Sequence, residues 1–272
     1  MENKKPTRSG APTRTVAQRV RSIRRETGGD GRFIRETQRA PRRTFSARSA
    51  SPPERIPAIL TVVLWQLPGG NYILYPFTIL ATWFHEMAHG LMALFLGGSF
   101  TKLLVFSNGS GAAYYSGPLL LGSMGKVLVA AAGPMGPPVA GAALILTSRS
   151  LKAASLSLKL LGGFLLISAA VWVRSLFGLV AVPLLGVVVL GVAFKGSEPF
   201  QRWAIQFLGV QACVSTYRQI DYLFSSSAGP LGISDTAQIQ QVLLLPYWFW
   251  GGLIAVASLL ILVLSLWSVY RS

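Results

Sequence analysis

Beyond residue 55 the chain is a succession of long apolar runs broken by short polar or glycine- and proline-rich punctuation. A bilayer core is crossed by about 20 helical residues, and that length is the ruler for these runs. It predicts membrane-crossing helices near residues 72–96, 124–147, 156–173, 176–194, 201–224 and 242–268. The run "IPAILTVVLWQL", 56–67, is shorter and stops at the breaker "PGGN", so it reads as a short first span or an interfacial helix. One segment departs from the helical pattern. "SFTKLLVFSNGSGAAYYSGP" has β-leaning stretches on either side of the turn "NGSG", which predicts a hairpin over 100–116. The expected fold class is therefore an all-α polytopic membrane protein of about six to seven transmembrane helices, with a short β-hairpin inserted after the helix near 72–96.

Composition agrees with this pattern. Of 272 residues 51% are hydrophobic and only 12% charged, with a mean hydropathy of +0.50. The net charge of +16 is concentrated at the N-terminus, where residues 1–55 hold 15 of the 25 Lys and Arg and 5 of the 9 acids. Such a segment buries too little apolar surface to offset its ordering entropy, so 1–55 is expected to be a disordered basic tail and 56–272 the membrane domain. The tail suits a positive-inside signal on the cytoplasmic side and contact with anionic lipid headgroups. It lacks interleaved aromatics or a folded reader motif, and nucleic-acid binding is not expected. A single cysteine, Cys213, excludes an internal disulfide and any multi-cysteine zinc or iron–sulfur site.

The polar exceptions inside the apolar runs carry the chemistry. The only two histidines of the chain fall in "ATWFHEMAHG", as His85 and His89, with Glu86 between them. On a helix, residues four apart share a face, so the two imidazoles can meet one metal ion. Glu86 lies about 100 degrees round the helix from His85, beside such an ion, where it serves as a base toward water. Ionisable groups in a span are costly and need a partner or a purpose. A catalytic zinc usually takes three protein ligands, and outside the tail only Glu198, Asp221 and Asp235 remain as carboxylates besides Glu86. Asp235 stands where a loop becomes an apolar helix, which equally suits an N-cap. Asp221 follows Arg218 at a spacing typical of a structural ion pair. Asp235 is favoured as third ligand, Asp221 is the alternative, and Glu198 is expected in a solvated loop.

At this point the chain resembles the site-2 protease family of intramembrane zinc metalloproteases, in particular its bacterial, smaller-core branch. "HEMAHG" is similar to the family's HExxHG, whose glycine would let another helix approach closely. "AAGPMGPPVAG", 131–141, is similar to AGPxxN, and "DTAQI", from Asp235, to the aspartate-first LDGGRI that supplies the third ligand. Pro137 stands where the family has its asparagine, and "ISDT" replaces LDG. The resemblance covers about 84–245 and implies Zn2+ held by His85, His89 and Asp235, with Glu86 catalytic. It implies a zinc metalloendopeptidase, a hydrolase that cleaves the transmembrane segments of other proteins in the bacterial inner membrane. Pro137 and "ISDT" keep one alternative open, a catalytically inactive pseudoprotease that binds membrane clients. A transporter is the third reading, but no repeat relates the two halves. Histidine-rich membrane oxygenases are excluded because two histidines are too few.

Overall fold

The computed structural model describes residues 69–271 without a break, preceded by Pro57, Leu60, Thr61, Val63, Leu64, Gln66 and Leu67. The expected basic tail and most of the short run 56–67 lie outside the described residues.

The first continuous helix, α1 (Gly70–Phe95), stops at Leu96 because Gly97 turns to φ +83°, a conformation cheap only for glycine. Strands β1 (Ser99–Val105) and β2 (Gly111–Ser116) follow as an antiparallel hairpin, closed by a turn in which Gly109 is left-handed. The hairpin lies along α1. The Tyr75 hydroxyl donates to the Ser107 carbonyl at 2.6 Å, and the Thr82 hydroxyl to that of Gly109 at 2.6 Å.

Helices α2 (Ser123–Thr147), α3 (Leu151–Val171), α4 (Leu176–Lys195) and α5 (Glu198–Arg218) come next, then the one-turn α6 (Ile220–Leu223). After a loop holding a short 3-10 turn, α7 (Asp235–Leu243) and α8 (Tyr247–Tyr270) complete the chain. Helix α2 is the centre of the packing. A Cβ on Gly141 would stand 2.5 Å from the Gly209 carbonyl of α5, so small residues bring the two backbones together. Gly162 and Gly186 do the same for α3 and α4. The main core joins Ile79, Trp83 and Met87 of α1 to Leu103 of β1 and Leu158 and Leu165 of α3. A polar link within it is the Trp83 indole N–H, which donates to Ser168 Oγ at 2.9 Å.

Among the described residues four helices, α2, α3, α4 and α8, are long and apolar enough to cross a membrane. The expected six to seven is not reached by that measure, for a reason visible in the sequence. Helix α1 carries His85, Glu86 and His89, and α5 carries Gln201, Gln206, Gln211, Ser215 and Thr216, all of them buried. These two helices turn those polar residues inward, and the same residues lower the helices' mean hydropathy. The run expected as one span from 242 is two elements, α7 and α8, broken at Leu244, where φ is +62° ahead of Pro246.

The outer edge of β1 is occupied. Leu103 N–H donates to the Trp172 carbonyl at 2.8 Å, Arg174 N–H to that of Leu103 at 2.9 Å, and Val105 N–H to Ser175 Oγ at 2.9 Å. In an antiparallel pair, opposed residues turn their free backbone groups to opposite edges. Since Leu103 and Val105 face residues 172–175, their partners Ala113 and Gly111 face the other edge, that of β2. No further strand pairs with that edge among the described residues.

Candidate metal centre

His85 and His89 are one turn apart on α1 and both buried, with ring centroids 4.9 Å apart. Asp235, 150 positions after His85, opens α7 and reaches both rings. Its Oδ2 lies 3.0 Å from His85 Nε2 and its Oδ1 3.3 Å from His89 Nε2. One donor atom from each of the three residues lies within 4.8 Å of the others. Atoms bound at zinc–ligand lengths around a tetrahedral ion sit about 3.3 Å apart, so this donor set fits the metal.

Local structure explains why these groups are available. The N-cap of α7 is Ser234, whose Oγ accepts from Ala237 N–H at 3.2 Å and donates to the Ser225 carbonyl. The capping role open to Asp235 in the sequence is thereby filled by its neighbour, and the carboxylate turns inward. His89 Nδ1 is 2.7 Å from the Val129 carbonyl of α2. A carbonyl only accepts, so Nδ1 carries a proton and Nε2, the nitrogen facing Asp235, is the one left to bind a metal, with the outer support that metal-binding histidines usually have. Burial alone would push the Asp235 carboxyl up, but the charges and hydrogen bonds of His89 and His85 hold it well below the ordinary carboxylate range.

Glycines set the closeness of the walls. A Cβ on Gly133 would overlap the His89 ring and stand 2.8 Å from His85 Nε2. One on Gly111 would stand 2.7 Å from Cγ of Glu86 and from Cγ2 of Thr82. Glu86 thus lies against β2, with the Ala113 amide facing its carboxylate. A cavity of about 230 Å³ opens here, bounded by His85, Glu86, His89 and Asp235 on one side and by β2 and Tyr222 on others.

Asp221 is exposed and outside this cluster. Nor does it pair with Arg218, which donates to Asn71 Oδ1 at 3.0 Å, because Gln219 ends α5 between the two. Glu198 is exposed but begins α5 rather than sitting in a loop. Cys213 is buried and its thiol points at the Pro138 carbonyl, 3.5 Å away, as a packing residue. The glycine of "HEMAHG", Gly90, admits the ring of Phe100 from β1 rather than another helix. Two groups at the site have no signature in the sequence: the Val129 carbonyl, which is backbone, and Tyr222, an aromatic beside the charged Arg218 and Asp221.

Residues 56–265 match the family model described as Peptidase M50B-like. Neither a curated protein nor a solved structure matches the chain.

Proposed function

The chain belongs to the M50B-like peptidases of the site-2 protease family, and from that premise we propose that it is a zinc-dependent intramembrane endopeptidase acting on transmembrane segments of other proteins. The convergence of His85, His89 and Asp235 beside Glu86 carries this reading. His85 Nε2, His89 Nε2 and a carboxylate oxygen of Asp235 would hold the ion. When bound, zinc supplies the Lewis acidity that makes water a competent nucleophile near neutral pH. Glu86 takes the proton from the attacking water on its carboxylate and delivers it to the amine nitrogen that leaves as the peptide C–N bond breaks. The Ala113 amide faces that carboxylate at the edge of β2.

The same edge supports the proposed substrate class. A helical segment hides its peptide bonds in its own hydrogen bonds, so a client must be unwound to be cut. An unwound chain in a low-dielectric site needs backbone partners. The outward-facing backbone groups of Gly111 and the carbonyl of Ala113 support pairing by strand addition, the Ala113 N–H being turned to Glu86, and the edge of β1 is closed to it. In this reading α1 and α5 cross the membrane with α2, α3, α4 and α8, the protein is integral to a bacterial inner membrane, and the basic tail is cytoplasmic, against anionic lipid headgroups.

The test is cleavage of a transmembrane reporter by the purified protein, with zinc content measured in parallel. Glu86→Gln is expected to lower the rate by about 10²–10⁴-fold while zinc remains bound, the usual contribution of a positioned general base. Zinc bound without Glu86-dependent cleavage would favour the inactive, client-binding reading that Pro137 suggests.

A further inference from the structure

We infer that Tyr222 is a positioning residue that fixes the Asp235 carboxylate for metal binding through a two-point grip by its hydroxyl; the inference rests on the metal reading above. The Tyr222 hydroxyl donates to Asp235 Oδ2 at 3.1 Å and accepts from the Asp235 backbone N–H at 3.3 Å. One oxygen thus holds both the amide and the carboxylate of the same residue, which restrains the side-chain torsion between them. The grip engages Oδ2, and among the described residues Oδ1, on the His89 side, has no hydroxyl partner.

Tyr222 is itself held from behind. It lies on the one-turn helix α6, whose next residue, Leu223, is buried against α8: a Cβ on Gly251 would meet the Leu223 carbonyl. The Tyr222 ring also packs edge-on toward His85, with centroids 6.1 Å apart at 72°. One side chain therefore touches two of the three proposed ligands, as packing on His85 and as a hydrogen bond on Asp235. The need is specific to Asp235. His85 and His89 are fixed by a long helix and, for His89, by the Val129 carbonyl. Asp235 instead begins a helix of nine residues after an irregular loop. Ser234 anchors the backbone of that turn, but among the described residues only the Tyr222 hydroxyl and the two imidazoles are seen to hydrogen-bond or ion-pair with the carboxylate.

The test uses the full-length chain in detergent and its Tyr222→Phe variant, which keeps the ring and removes only the hydroxyl. Zinc affinity is measured by chelator competition, Co2+-substituted protein is compared by its visible absorption bands, and the metal-free proteins are compared by thermal unfolding. The expected result is a 10–100-fold weaker zinc affinity, the usual cost of losing an outer support of a ligand. It should come with altered Co2+ bands and an unchanged unfolding temperature of the metal-free protein. Wild-type zinc affinity and wild-type Co2+ bands in Tyr222→Phe would overturn the inference and leave the metal reading intact. A metal-free protein destabilised in step with the loss of affinity would also overturn it, making Tyr222 an ordinary packing residue. A wild-type chain that binds no zinc would overturn the metal reading itself, and this inference with it.

Discussion

Replacing Gly133 by alanine is the sharpest single probe of the site, because it adds one methyl group where α2 meets both imidazoles. That methyl would stand 2.8 Å from His85 Nε2 and overlap His89 at Nε2 and Cε1. Carbon sits comfortably against other heavy atoms at about 3.5–4.0 Å, so the rings must withdraw by the order of 1 Å. His89 has no free retreat. Its Nδ1 is bound at 2.7 Å to the Val129 carbonyl, one turn from Gly133 on the same face of α2. Withdrawal therefore breaks the bond that orients the ring, and a functional constellation tolerates only about 0.5 Å of displacement. Losing that support alone weakens metal binding about 10–100-fold, and with the displaced nitrogens a loss of at least about 100-fold is expected, roughly 2.7 kcal/mol. Helix propensity runs the other way, since alanine in a helix interior is favoured over glycine by about 1 kcal/mol. The damage should consequently appear in metal retention rather than in helix content. The assay is the zinc-to-protein ratio across a series of chelator strengths. Gly163→Ala and Gly252→Ala serve as controls, since no atom outside the local helix backbone lies within 4 Å of a Cβ at either position. Gly133→Ala protein that holds zinc through the same series as wild type would refute the proposed closeness of α2 to the ligands.

Two further substitutions separate the roles of the remaining groups. Gly111→Ala would press a methyl to 2.7 Å from Cγ of Glu86. We expect reporter cleavage to fall at least about tenfold with zinc retained, because the perturbed group is the proposed base and not one of the proposed ligands. Asp235→Asn should lose zinc in the chelator series, whereas Asp221→Asn, altering an exposed residue outside the cluster, should match wild type in both zinc content and cleavage.

The sequence by itself determined what depends on neighbours along the chain. Four-residue spacing on one helix puts His85 and His89 on a common face wherever that helix packs. The turn "NGSG" between β-leaning runs is enough to place the hairpin close to its observed limits. Membership of a membrane class follows from run length and hydropathy alone. The tertiary structure decided everything that joins distant segments. Whether Asp235 caps its own helix or faces the histidines turned on Ser234 taking the cap, and both choices satisfy the same local pattern. The closing of the β1 edge by residues 172–175, the reach of Val129 and Gly133 to His89, and the Tyr222 grip on Asp235 likewise depend on how helices approach one another. That approach is set by interdigitated small residues across several elements, and no periodicity along one element encodes it.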